Sequence, residues 1–156
     1  MSRADCISNQ IADGLVTALK RINSVTAPDV WYTKPTVKRG FLMADLTGPF
    51  PVALVQLSRW GEDTPTPGEV HDGRVTFYIH CISEHIENSE QGLNRLAADV
   101  IKAIANDEEL SSASIDGFID IFPKYYEPQE EAMEKVGRGI TTVVVEATFQ
   151  WSHDAP

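Results

Sequence analysis

The sequence predicts an α+β fold: two layers, a mostly antiparallel sheet with two main amphipathic helices packed on one face. Three observations predict it. Two segments repeat apolar residues at three- and four-residue steps, the spacing of a helix face. Several others alternate apolar and polar residues, the period of a half-buried strand. The order along the chain is helix, strands, helix, strands, with no internal repeat and no low-complexity tract. At 156 residues the chain fits one domain, residues 1–156, and a domain of that size buries roughly 70% of its unfolded surface.

The first helix is read from Ile7, Ile11, Leu15, Leu19 and Ile22, which fall on one face. Ser2 or Asp5 is the expected cap, Lys20 and Arg21 suit the negative end of the helix dipole, and Asn23, Ser24 and Pro28 stop it. Gly14 weakens the middle of the helix and permits close packing there. Residues 30–32 and 35–41 form a short strand region, followed by the Gly48-Pro49 turn. Residues 52–60, VALVQLSRW, are β-branched and apolar and read as a strand.

Residues 61–73 hold two Pro, three Gly and four acids, with almost nothing apolar, and read as an exposed connection. A strand follows over residues 74–83. It turns Val75, Phe77, Ile79 and Cys81 one way and Thr76, Tyr78, His80 and Ile82 the other. Both faces carry apolar character, so one packs the helices and the other meets something else.

The second helix starts near Asn88 or Ser89, carries Leu93, Leu96, Ala97, Val100, Ile101 and Ile104 as its stripe, and ends around Asn106 and Asp107. Residues 115–122 read as a strand ended by Pro123, and residues 124–139 as a second exposed connection. The last strand, residues 140–151, sends Val143, Val145, Ala147, Phe149 and Trp151 to the core and Thr142, Val144, Glu146, Thr148 and Gln150 to the other side.

Charge and composition narrow the function classes. Thirteen Lys and Arg against 23 Asp and Glu give a formal charge of −10, which disfavours a uniformly basic nucleic-acid surface and an anionic membrane. A local basic patch at Lys34, Lys38 and Arg39 competes with a plainer reading, a solvated strand edge. No run approaches the ~20 apolar residues that span a bilayer. No apolar run follows Arg3, so no secretory signal is expected. Cys6 and Cys81, far apart in sequence, are expected as free thiols in a reducing compartment.

Candidate chemistry is sparse. His80 and His85, with Glu84 and Glu87 nearby, flank a strand end, a spacing that does not favour ligands converging on one metal. Asp116 and Asp120 share a strand face, but scattered carboxylates are the rule in an acidic chain. There is no Gly-x-Ser-x-Gly elbow, no phosphate-cradling glycine loop, and Gly137-Arg138-Gly139 precedes a strand and not a helix. The expectation is a protein without catalytic residues, cofactor or metal. Trp31, Trp60 and Trp151 sit at element ends, where they serve either as interface anchors or as local core plugs.

The succession of an N-terminal helix, FPVALVQLSRW, GRVTFYIHCIS, the helix GLNRLAADVIKAI, IDGFIDIFP and GITTVVVEATFQW resembles the bacteriophage tail terminator and tail-completion proteins, including the small Mu-like prophage tail proteins. The likeness covers nearly the whole chain as an order of elements, without a diagnostic motif.

The resemblance implies a structural virion protein of the tail or neck, assembled in the host cytoplasm. It implies a homo-hexameric ring that caps the tail tube, ends its polymerisation and joins it to the head-tail connector or stopper protein, with sheath protein as a further neighbour. DNA passes through such a ring without specific binding, and no membrane is involved. The two exposed connections and their flanks are then expected to supply subunit or tube contacts: Trp60, Glu62, Asp63, Glu69, His71, Tyr125, Tyr126, Glu130 and Arg138. The competing readings are another neck protein (head-completion or stopper), a small ligand-binding domain or enzyme, and a regulatory binding module.

Overall fold

A computed structural model of the chain describes residues 6–42, 47–62, 70–84, 90–107, 110, 118–128 and 138–152. The expected apolar stripe winds into α1 (Ile7–Leu19), which buries Ile7, Ile11, Ala12, Leu15, Ala18 and Leu19. Its N-cap is Cys6, which makes no side-chain cap hydrogen bond; Ser2 and Asp5 lie outside the described residues. The Asn23 side-chain oxygen accepts the backbone N–H groups of Val25 and Thr26 and turns the chain as the helix ends. Arg21 does more than face a helix dipole: its guanidinium pairs with the buried Asp107 carboxylate at 2.6 Å. At Gly14 an added Cβ would stand 3.0 Å from Leu110 Cδ2, so the glycine does provide the close approach its position predicted.

Among the described residues five strands form one mixed, mostly antiparallel sheet: β1 (Thr36–Arg39), β2 (Val52–Glu62), β3 (Val70–Ile82), β4 (Phe118–Pro128) and β5 (Ile140–Ser152). Their order across the sheet is β1-β2-β3-β5-β4, so β1 and β4 are the outermost of the described strands. Among the described pairings β1 against β2 is parallel and the others are antiparallel. At the centre, β3 and β5 pair without interruption from Val70↔Ser152 to Ile82↔Ile140. That ladder spans about 40 Å, twice the ~20 Å length of a thirteen-residue helix.

Between β3 and β4 comes α2 (Glu90–Ala105), which buries Leu93, Leu96, Ala97, Val100, Ala103 and Ile104 on the sheet. Its stripe matches the sequence reading at Leu93, Leu96, Ala97, Val100 and Ile104, while Ile101 is only partly buried and Asp99 and Ala103 are buried in addition. Both helices contribute to one core with the inward residues of the strands, among them Ala53, Val55, Val75, Phe77, Ile79, Cys81, Val143, Val145, Ala147 and Phe149. This is the α+β fold expected, helices on one sheet face, and the assigned faces of β3 and β5 hold at these positions.

Several boundaries differ from expectation. Residues 30–32 are not a strand. Asp99 accepts the backbone N–H groups of Tyr32 and Thr33, and these bonds to a helix compete with any sheet ladder. The exposed connection expected at residues 61–73 is shorter, because Gly61 and Glu62 extend β2 and residues 70–73 begin β3; residues 63–69 lie outside the described residues.

The connection expected at residues 124–139 begins later as well, because β4 does not stop at Pro123 but continues to Pro128. A proline lacks a ladder donor, yet an edge strand tolerates it where its nitrogen faces away from the neighbour. The register shifts between Pro123 and Tyr125, leaving Lys124 as the bulged residue. A second bulge, between Leu57 and Arg59, bends β2.

Candidate functional site

The nine residues expected to make subunit or tube contacts do not gather into one site. Trp60 lies on the helix-side face near the end of β2, 36% exposed, its ring centroid 6.2 Å from that of Phe149. Tyr126 lies on the β4 edge, 44% exposed, two strands away from β3. Arg138 stands over the Phe50 ring, 4.4 Å from its centroid, on the opposite side of the sheet from the helices. Glu62, His71 and Tyr125 are backbone members of β2, β3 and β4, and their side chains lie outside what is described. Asp63, Glu69 and Glu130 fall outside the described residues altogether.

Of the tryptophans, Trp31 is a core plug. It packs on the main core with Lys102 Nζ 5.3 Å from its ring centroid, while the same ammonium donates to the Val30 carbonyl. Pro28, Asp29, Val30, Tyr32 and Lys102 border a cleft of 260 Å³ beside it. The acid at its base, Asp99, is 1% exposed and spends its oxygens on Tyr32, Thr33 N–H and the Thr33 hydroxyl at 2.6 Å. The polar groups at the cleft besides Asp99 are the Lys102 ammonium, already donating to Val30, and the exposed side chains of Asp29 and Tyr32.

The face away from the helices is more informative than sequence reading allowed. Val52, Leu54, Ile82 and Ile140 form a second apolar cluster there, at most 1% exposed, with Leu42 and Phe50 packed against it. Next to it on the same face lies His80, 5% exposed. Its Nδ1 is 2.7 Å from the Thr142 hydroxyl and its Nε2 is 3.2 Å from Gln56 Oε1. That same Oε1 accepts the Leu42 N–H at 3.1 Å, so Nε2 is the protonated nitrogen that donates to it and Nδ1 accepts from Thr142. Burial pushes the His80 pKa down from 6.5 to about 4, keeping the ring neutral. This imidazole is a structural bolt between the sheet and the segment covering it.

Two rungs further on, Glu146 is 6% exposed and lies between the Lys124 ammonium at 3.0 Å and the Arg74 Nε at 3.5 Å. The β4 bulge aims Lys124 at this carboxylate. The signal was present in sequence as one acid on an alternating strand, but nothing local distinguishes it from an exposed acid. Only its cross-strand neighbours do.

Cys81 is buried in the core and burial raises its thiol pKa, which removes it from nucleophilic chemistry. Asp120 is exposed and caps the N–H of Ile121; Asp116 and His85 lie outside the described residues. Among the described residues no group of three His, Cys, Asp or Glu side chains is placed to hold a metal ion. No described helix is long and apolar enough to cross a membrane. Compared with known proteins, the chain matches no family model and no curated sequence.

Proposed function

We propose that this chain is a structural virion protein that caps the phage tail tube as a ring, ends tube polymerisation and presents a surface to the head-tail connector or stopper protein. The observation that supports the reading is the order α1, β2, β3, α2, β4, β5, the order of elements on which the resemblance to tail terminators rests, with β1 as an addition to it. The state of the buried polar groups supports it further. His80, Asp99, Asp107 and Glu146 are each engaged by neighbours of the same chain and spend their chemistry on holding segments in place. That is the economy of a scaffold, whose work is done by surfaces. The partners in this reading are the tube protein, the connector or stopper, and neighbouring copies of the chain, with DNA passing through the ring unread.

The test is direct. Purified tail tubes are mixed with labelled protein and viewed by negative stain while tube protein is added. Labelled density at one end, with elongation stopped there, is the expected outcome. Protein scattered along the tubes, or tubes that keep growing at both ends in its presence, would sink the proposal.

A further inference from the structure

The segment between α1 and β1 is held more firmly than a connection requires. Residues 23–33 close on themselves at the neck, where the Ser24 N–H donates to the Thr33 carbonyl at 3.0 Å. Inside the loop the Val30 and Trp31 N–H groups both donate to the Ala27 carbonyl. From outside, Asp99 holds Tyr32 and Thr33, Lys102 holds the Val30 carbonyl, and the Trp31 ring packs on the core. A compact loop with joined ends, filled by its own side chain, is an Ω-loop, a form often given over to function.

This fixed loop turns apolar side chains to water. Val25 is 73% exposed, Val30 45% and Tyr32 69%, three of the eight exposed large hydrophobic residues among those described. Val30 and Tyr32 stand on the rim of the 260 Å³ cleft beside Trp31. Single exposed apolar residues are ordinary on a surface, while a group of them on one rigid feature marks a contact. The loop is ordered before any partner arrives, so little entropy is lost when it binds.

Its surroundings are basic in an acidic chain. Residues 20–39 hold five of the 13 Lys and Arg and one of the 23 Asp and Glu. Three of the five, Arg21, Lys38 and Arg39, are engaged by side chains of their own chain and add nothing to the argument. Lys20 and Lys34, just before and just after the loop, are exposed. So are Arg95 and Lys102 of α2, which share one helix stripe with the cleft residue Ala98 at steps of three and four. Among the described residues none of these four cations is paired with a carboxylate.

We infer that this loop and the Arg95–Lys102 stripe dock an acidic surface of a second copy of the chain, with Val25, Val30 and Tyr32 as the apolar centre and the four cations around them. The choice of a second copy rests on the ring reading above, which requires neighbours, and on charge. Outside residues 20–39 the chain carries eight Lys and Arg against 22 Asp and Glu, so each copy brings an acidic complement. A polyanion fits less well. Nucleic acid and an anionic bilayer spread negative charge over the whole contact, and both meet Asp29 on the cleft rim and the net −10 of the chain around it.

Sedimentation velocity and native mass spectrometry of the full chain, read at low and high salt, test this. At about 100 μM in low salt the expected result is self-association that weakens as salt rises. Tyr32→Ser weakens it roughly tenfold or more through loss of an aromatic anchor. The double change Lys34→Glu, Arg95→Glu weakens it at least as much at low salt and less at high salt. All three side chains are exposed, so circular dichroism should show the fold unchanged. A wild type that stays monomeric, or variants that associate like wild type, would overturn the inference. Tail tubes, duplex DNA and phosphatidylserine vesicles are offered to the same proteins. If the variants lose one of these and keep their self-association, the surface belongs to that partner and the second copy is overturned. Capping is scored apart. A chain that associates through this surface and ignores tube ends sinks the capping proposal alone, while a monomer that stops tube growth sinks this inference alone.

Discussion

The two faces of the central sheet are built from the same strands by different rules. On the helix side, Val75, Phe77, Ile79, Val143, Val145, Ala147 and Phe149 are all at most 1% exposed and belong to one continuous apolar core. On the other side the same strands carry, in order, an apolar cluster, a neutral histidine and an ion-paired glutamate. The first face gains stability by removing apolar area from water, and none of these residues carries a group that titrates. The second holds polar groups in defined partnerships, and its stability depends on solution conditions. A chain that needs a fixed body and a surface that answers to its surroundings can obtain both from one sheet.

The largest expected effect breaks the helix-side face. Phe149 is fully buried, so Phe149→Ala should cost about 3–5 kcal/mol by chemical denaturation, from lost transfer energy and the cavity left behind. A loss below about 1 kcal/mol would mean that Trp60, whose ring lies tilted beside it, collapses into the space. The double variant with Trp60→Ala would then expose the missing energy.

The second prediction separates the faces by pH. Burial lowers the pKa of His80 in the folded chain to about 4, from 6.5 for a free imidazole. The unfolded chain therefore binds a proton as pH falls below 6.5, while the folded chain does not until near 4. The contribution of the neutral ring is complete above pH 6.5 and is lost progressively down to pH 4. Across 6.5 to 5, where most carboxylates remain ionised, that loss is about 2 kcal/mol. His80→Gln keeps a hydrogen-bonding side chain and removes the titration. Its stability curve should lie flatter than wild type in that window, and parallel curves for the two proteins would refute the assignment.

How much of this was legible in the sequence follows from the range over which each signal acts. The helix stripes and the alternation of β3 and β5 are local, repeat many times, and gave the fold and the inward faces of Phe77 and Phe149 correctly. The turn residues misled where tertiary pairing overrode them. Pro123 reads as a stop, yet β4 runs through it because the strand is an edge. The polar run at residues 61–73 reads as one connection, yet it includes the ends of two strands. Glu146 was assigned to the outward face but not recognised as buried, since its burial comes from Arg74 one strand away and Lys124 from a bulge. Sequence did flag Lys34, Lys38 and Arg39 as a basic strand edge, and β1 is that edge.

The smallest expected effect sharpens the comparison on the outer face itself. Arg138 lies over the Phe50 ring, and Phe50 in turn covers Val52, Leu54, Ile82 and Ile140. Arg138→Ala removes a partly exposed cation–π contact and should cost only about 0.5–1 kcal/mol. Phe50→Ala uncovers part of the cluster beneath and should cost more, on the order of 2 kcal/mol for a half-buried ring. If Arg138 acts only through that ring, its removal should cost nothing further once Phe50 is gone, and a double-mutant cycle measures the difference. Additive losses would place the contribution of Arg138 elsewhere and return it to the interface role its position in the sequence first gave it. The same cycle repeated near pH 4, where the folded His80 takes up its proton, extends the argument: should the coupling between Arg138 and Phe50 weaken there, protonation of His80 loosens the covering segment as a unit, through the Gln56 bond to Leu42 that ties them together.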